Sequence, residues 1–447
     1  MFALKLGNKI LLNHIKGDNM KLIKLSLVAF VLGCCTNALA ADNITDAFKN
    51  GSVKGQLKVW YWDKDIDNAG NKTGSSIFNT ALELGYLTDS YYNFKFGATF
   101  QANATPFASD DAKSMYVNEE YASGSVLSEA FIDYTANGFD IKAGRQYIVS
   151  PLINGNFARI NRESFEGVSL MNKSFKDTDL FAHFIQKFQG RTSNVSGDGI
   201  GDAPKFRKKV VLGGAGSYGY EFDGAYAFGF KNRSIDNLQI TGQYLNIQDL
   251  GNNSSSPTAS DDLSIYYSEL NYSIPVGDYK FGIDLRYRKS QTGEKLDSLN
   301  WEGDISEIRL SASGFAGFGF DVAYSTVSDS DRAILGMGLG ALTYTFPLIR
   351  GPYVYASQAG TDSYSYTLKY NFAKAGVQGL TGQLKYVTAD RDDDYGNKAD
   401  YKGYGGALLY KIPQLKNVTA NLVYFSLDEK IADNRTDELW LKLNYSF

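Results

Sequence analysis

The chain has 447 residues, with 45 Gly, 31 Tyr and 28 Phe but only 8 Pro and 2 His, and a formal net charge of −4. The acidic balance argues against nucleic acid as a partner. After residue 41 no apolar run approaches the roughly 18 residues that a spanning helix needs.

The first segment reads as an export signal. From Met20, Lys21 and Lys24 form a basic start, Leu25 to Gly33 an apolar core, and Ala38-Leu39-Ala40 a small-residue cleavage site. The expected start is Met20, with Met1 to Asn19 an upstream extension and cleavage after Ala40. A competing reading is a lipoprotein signal, because Val31-Leu32-Gly33 precedes Cys34. Both cysteines, Cys34 and Cys35, fall within residues 1–40, so the exported chain is expected to lack disulfides and thiolate metal sites. Excision also removes five lysines and one aspartate, leaving a net charge of −8.

Beyond the signal the dominant pattern has a period of two. At 279–288, Tyr279, Phe281, Ile283, Leu285 and Tyr287 alternate with Lys280, Gly282, Asp284, Arg286 and Arg288. The same split recurs at Tyr92–Gln101 and at Tyr364–Phe372. One face is apolar with aromatic ends and the other is polar, as a strand between lipid and a watery lumen requires. Strands are predicted at 53–62, 77–87, 91–101, 127–136, 139–148, 164–173, 179–188, 220–231, 237–248, 262–274, 279–289, 304–313, 318–327, 361–373, 380–389, 402–412, 417–428 and 437–447. The predicted fold is all-β, a transmembrane antiparallel barrel of 18 strands over residues 41–447. Only helices and closed barrels satisfy every backbone group in a bilayer. Short connections (88–90, 137–138, 275–278, 413–416) alternate with long ones (102–126, 189–219, 249–261, 328–360), which assigns the turns to the periplasm and the loops to the outside. Residues 210–220 read either as a further strand or as a hairpin within a loop.

Alternation assigns Arg286, Arg288, Arg309, Lys369 and Lys385 to the lumen face, together with Asp133, Asp284 and Glu307. A charged residue facing lipid near mid-membrane would cost roughly 2–4 kcal/mol. Fixed charges in a narrow pore select by sign, although ordinary lumen solvation explains the same residues. Asp390, Asp392 and Asp394, with Asp393 and Asp400, form an acidic run that is a weak candidate for Ca²⁺, but they lack EF-hand spacing and read better as a solvated loop. Gly336 to Gly340 has no βαβ frame around it and is read as flexible loop backbone. His183, on a predicted strand, is the one histidine after residue 40, and no nucleophile elbow accompanies it. Enzymatic hydrolysis is therefore not expected, and no cofactor is implied. An adhesive surface barrel is the third reading, and bilayer conductance discriminates it.

The ending is the most specific signal. Leu439, Leu441, Leu443, Tyr445 and Phe447 share one face, and the chain stops on Phe447. A terminal Phe on an alternating strand resembles the signal read by the barrel-insertion machinery. Four stretches then carry a wider likeness: Ala143-Gly144-Arg145-Gln146 with Pro151 and Ala158 to Gly167; Gly360 to Tyr364 leading into Leu368 to Ala373; Gly376 to Leu380 running to Leu384-Lys385-Tyr386-Val387; and Tyr410-Lys411-Ile412 followed by two strands and Phe447. Together they resemble the OprD family of outer-membrane porins.

The resemblance implies 18 strands, third and seventh loops (149–163 and 328–360) folded into the pore, and basic side chains guiding carboxylate-bearing solutes such as amino acids or small peptides. It places Arg145, Arg159 and Arg162 at the constriction. Lys369 and Lys385 stand where the family often has Arg, which loses the bidentate fork. The expected partners are outer-membrane lipid and lipopolysaccharide, small hydrophilic solutes and the insertion machinery through Phe447; the oligomeric state stays open between a monomer and a homotrimer.

Overall fold

The computed structural model describes residues 41–201, 203–215, 219–251, 259–349 and 355–447. The expected signal segment, with Cys34 and Cys35, lies outside them. A short helix, α1 (Ile44–Lys49), precedes the barrel and is capped by the Asn43 side chain. The barrel strands are β1 (Ser52–Asn68), β2 (Asn71–Leu87), β3 (Phe94–Ala104), β4 (Gly124–Ala136), β5 (Phe139–Gln146), β6 (Ser164–Phe175), β7 (Thr178–Gln189), β8 (Gly224–Ile235), β9 (Leu238–Gly251), β10 (Ser260–Val276), β11 (Tyr279–Thr292), β12 (Asp304–Phe315), β13 (Phe318–Val327), β14 (Thr361–Asn371), β15 (Leu380–Asp392), β16 (Lys398–Lys411), β17 (Val418–Glu429) and β18 (Asn434–Ser446).

Each strand pairs antiparallel with the next, and β18 returns to β1 in a register running from Gln56↔Ser446 to Asn68↔Asn434. The 18-stranded sheet therefore has no open edge. The alternation read from the sequence is the division between its two faces. On β11, Tyr279, Phe281, Ile283, Leu285 and Tyr287 are exposed outward, whereas Asp284 and Arg288 are buried inward. Outward tyrosines pack against one another across strands, as in Tyr324–Tyr364, giving the wall an aromatic band.

Two expectations change. The first outer connection is not a long loop: β1 and β2 continue to a two-residue turn at Ala69 and Gly70, both with positive φ, as a type I′ hairpin requires. The strand predicted from 220 begins instead at Gly224 as β8, and of the two readings of residues 210–220 the loop hairpin is the one found. Lys209–Val210 pairs with Tyr220–Glu221, and Leu212–Gly213 pairs with Gly336–Met337, so the segment is a hairpin within the fourth loop.

The outer half of the barrel is filled mainly by four loops, with Leu296 and Trp301 of the β11–β12 connection packed against them. Loop 2 (105–123) carries α2 (Asp110–Met115), and loops 3 (147–163), 4 (190–223) and 7 (328–360) join it. Ile334, Met337 and Leu339 of loop 7 share an apolar cluster with Leu152 and Ile153 of loop 3, Val211 and Leu212 of loop 4, and the inward residues Ile185, Leu245 and Ile265. Tyr116 of loop 2 joins a second cluster with Trp62, Val387, Tyr401 and Trp440. The reading of Gly336–Gly340 as flexible backbone is overturned: Gly336 to Leu339 are buried between loops 3 and 4. Gly336 has φ +147, and a Cβ there would meet the Leu152 carbonyl at 2.6 Å.

Candidate functional site

Loop 3 crosses the lumen because its polar backbone finds partners there at successive residues. Lys442 Nζ on β18 donates to the Ala158 carbonyl at 2.7 Å, and Lys58 Nζ on β1 donates to the Ile160 carbonyl at 3.0 Å. The Asn161 side-chain amide donates to Asn103 Oδ1 at 3.2 Å, and the Arg162 backbone N–H donates to Gln101 Oε1 at 2.8 Å. Glu163 is fully buried, and its Oε2 accepts from Asn156 N at 2.8 Å and from Leu339 N at 2.9 Å, joining loops 3 and 7. Where β1 meets β18, cations and rings alternate in a column. Lys442 lies 3.9 Å from both the Trp60 and the Trp440 ring centroids, Arg159 lies 4.8 Å from Trp440 and 4.9 Å from Trp62, and Lys64 lies 5.4 Å from Trp62 and 5.2 Å from Tyr116.

Loop 7 is held to the opposite wall by charge. Arg286 donates to Glu269 at 2.9 Å, to Glu307 at 3.3 Å and to the Leu342 carbonyl at 3.0 Å. Arg288 donates to the same carbonyl at 3.2 Å and lies 3.7 Å from Glu307. The Tyr344 N–H donates to Glu307, its hydroxyl donates to Glu269, and its ring stacks on Arg286 at 3.8 Å and Arg309 at 4.5 Å.

Below this anchor the predicted residues diverge in exposure. The Arg309 side chain is 38% exposed and pairs with Asp284 at 2.8 Å; that of Lys369 is 51% exposed and pairs with Asp321. Lys385 is buried 4.2 Å from the Phe346 ring centroid, and among the described residues it makes no ion pair. Arg162 pairs with Glu83 at 3.2 Å between the rings of Tyr147 and Phe157, with its side chain 30% exposed. Asp133 faces inward beside Lys95 and Lys142 on the neighbouring strands.

Arg145 does not belong to the constriction. Alternation on β5 puts Lys142 inward and Arg145 outward, opposite Ala130 and on the face of the exposed Ile132. There it pairs with Glu166 at 3.0 Å, and Glu166 also holds Lys187 at 2.6 Å. The Ca²⁺ candidates do not converge either. Asp392 pairs with Lys398, Asp390 stands across from Asp362 and Asp400, and the buried Asp393 accepts from Arg391 and Asn397 instead. Among the described residues no group of three metal-ligating side chains forms. His183 faces inward and shares a hydrogen bond of 2.9 Å with Ser169.

Sequence reasoning located loops 2 and 4 as long connections but missed their buried charges, Glu119 and Glu120 of loop 2 and Arg191 of loop 4, because a long polar loop carries no periodic signal. It also passed over Glu269, although that residue sits on the inward parity of β10, and the aromatic column, whose members are far apart in the chain.

A closed barrel with an apolar outer wall, a charged inner wall and inward-folded loops defines an outer-membrane channel. The chain belongs to the OprD family: a family model described as outer membrane porin, OprD family, matches residues 136–447. Solved structures of the same fold include a BenF-like porin from Pseudomonas fluorescens Pf-5, at TM-score 0.74 and 16% identity over 90% of this chain and 99% of that one. OccAB2 from Acinetobacter baumannii is similar at TM-score 0.71 and 19% identity, and OccK8 (OprE) from Pseudomonas aeruginosa at 0.71 and 15%, with the same coverages. No curated protein matches the chain. The protein is an outer-membrane porin of the Gram-negative envelope.

Proposed function

We propose that the pore passes small hydrophilic solutes bearing a carboxylate, amino acids or small peptides among them, passively down their gradients. Selection is set where loops 3 and 7 narrow the lumen. The observation that carries this reading is the pair of water-facing cations on one wall, Arg309 and Lys369, with Arg162 of loop 3 also partly exposed. A fixed cation in a narrow wet pore raises the local anion concentration and steers a carboxylate. Arg286, Arg288 and Lys385 are excluded from this role because loop 7 covers them.

The remaining expectations complete the proposal. Residues 1–40 are removed as an export signal, Phe447 addresses the chain to the insertion machinery, lipopolysaccharide surrounds the outer rim, and the barrel assembles as a homotrimer without cofactor or hydrolytic activity. In planar bilayers, Arg309→Glu with Lys369→Glu should move the reversal potential in a salt gradient toward cation selectivity. An unchanged reversal potential would remove the wall cations from the mechanism.

A further inference from the structure

Loops 3 and 7 meet the barrel wall directly, but the innermost turn of loop 3 also leans on loop 2. Glu119 Oε2 accepts from Arg159 Nε at 2.7 Å and lies 3.0 Å from an Arg191 terminal nitrogen of loop 4. The Arg159 side chain is 5% exposed and that of Arg191 is 0% exposed. Arg191 Nε donates to the Asn118 carbonyl at 2.7 Å, and Thr192 Oγ1 donates to the Val117 carbonyl at 2.7 Å, so loop 4 braces the same short stretch of loop 2. The neighbouring Glu120, 2% exposed, accepts the Ile160 N–H at 3.1 Å. Two consecutive carboxylates of loop 2 therefore fix two consecutive residues of loop 3. The stretch they grip, Arg159–Ile160, lies between Ala158, held by Lys442, and Arg162, which reaches the lumen.

We infer that loop 2 is a third determinant of the pore, with Glu119 as the positioning residue that holds the inner turn of loop 3, and so the Arg162 guanidinium, at a fixed place in the lumen. Charge makes the arrangement specific. Glu119 is the shared counter-ion of two buried guanidiniums, and removing one partner of such a cluster strands the others in a dry interior. Loop 3 then gains by swinging Arg159 toward lumen water, which carries Ile160 to Arg162 with it. The other anchors of this turn, from Lys58, Lys442, Asn103 and Gln101, hold through single hydrogen bonds, and without Glu119 the carboxylate left to Arg159 is that of Glu120, 3.9 Å away and already engaged by the Ile160 N–H.

The inference rests on the channel reading, and the experiment separates the two. Full-length protein is purified in detergent and recorded in planar bilayers, beside Glu119→Gln and Glu119→Asp. Folding is checked independently by heat-modifiable gel migration and by strand content in circular dichroism. Glu119→Gln should keep its folded migration yet show altered open conductance and at least about a tenfold rise in the frequency of transitions between conductance levels. Glu119→Asp should return part of the way to wild type. Arg191→Met leaves the Glu119–Arg159 pair in place and is the milder variant, to be used if Glu119→Gln does not fold; it should raise the transition frequency in the same direction. Folded Glu119→Gln, or Arg191→Met where the former does not fold, with wild-type conductance and kinetics overturns the role of loop 2. A wild-type protein that gives no conductance steps removes the channel reading itself.

Discussion

Arg288 and Arg309 lie on adjacent strands of one wall, both pointing inward, yet they do opposite work. Arg288 is sealed beneath loop 7, bonded to the Leu342 carbonyl and close to Glu307. Arg309 sits just below the same loop with more than a third of its side chain open to the lumen. Alternation decides which side of the wall a charge faces. What covers it decides whether a solute can ever meet it.

That contrast can be broken by substitution, and the largest effect should come from the sealed side. Glu307→Gln leaves Arg286 and Arg288 without one buried counter-ion and should destabilise the protein by about 3–5 kcal/mol. The drop would be read as a lower temperature for loss of the folded gel band. If the band holds at the wild-type temperature, the loop 7 anchor is not electrostatic. On the open side the prediction reverses: Lys369→Glu should shift the reversal potential while costing no more than about 1 kcal/mol, because a half-exposed pair is screened by water and salt. Arg288→Met should do the converse, lowering stability and leaving selectivity untouched.

Acidity sharpens the same distinction within loop 2, outside the spanning strands. Burial pushes the Glu120 carboxyl up to about 7, while the guanidiniums of Arg191 and Arg159 overcome the burial of Glu119 and hold it down at about 2. A raised carboxyl means that its charge opposes folding. That penalty is absent below the ordinary 4.5 and complete above about 7. Titrating from about pH 8 to about pH 5.5 should therefore raise resistance to unfolding, and Glu120→Gln should flatten the response. Glu119 works the other way, stabilising above the ordinary 4.5 and failing only as pH approaches about 2, so its clamp persists across that titration. A rise that survives in Glu120→Gln would assign the titration to another group.

The smallest effect belongs to the outer rim. Asp362, Asp390 and Asp400 stand in register on the neighbouring strands β14, β15 and β16. Asp390→Asn should add a few tenths of a kcal/mol at low salt and nothing at high salt. Equal gains at both salt concentrations would mean that repulsion is not the cause.

The barrel was legible because each spanning strand repeats one simple constraint, lipid on one side and water on the other. That is why Tyr279 to Tyr287 located β11 so closely, and why Phe447 fell at the end of the closing face. Legibility failed where no such constraint acts. Asp63 to Asp67 alternate poorly in hydropathy, so the upper part of β1 read as loop. Arg145 shares a motif with the third loop but sits one parity step from the lumen, a distinction that only the register on β5 settles. The anchors of loops 2, 3 and 7 join residues up to hundreds of positions apart, as when Lys442 meets Ala158, and nothing local in the chain marks such partners.

The alternating column of rings and cations along β1 and β18 has a consequence for biogenesis. Its wall rungs come from the first and last strands, so this part of the seat of the third loop is complete only once those two strands have zipped together. A half-inserted sheet cannot narrow its own interior. The final narrowing of the aperture is thereby coupled to completion of the cylinder.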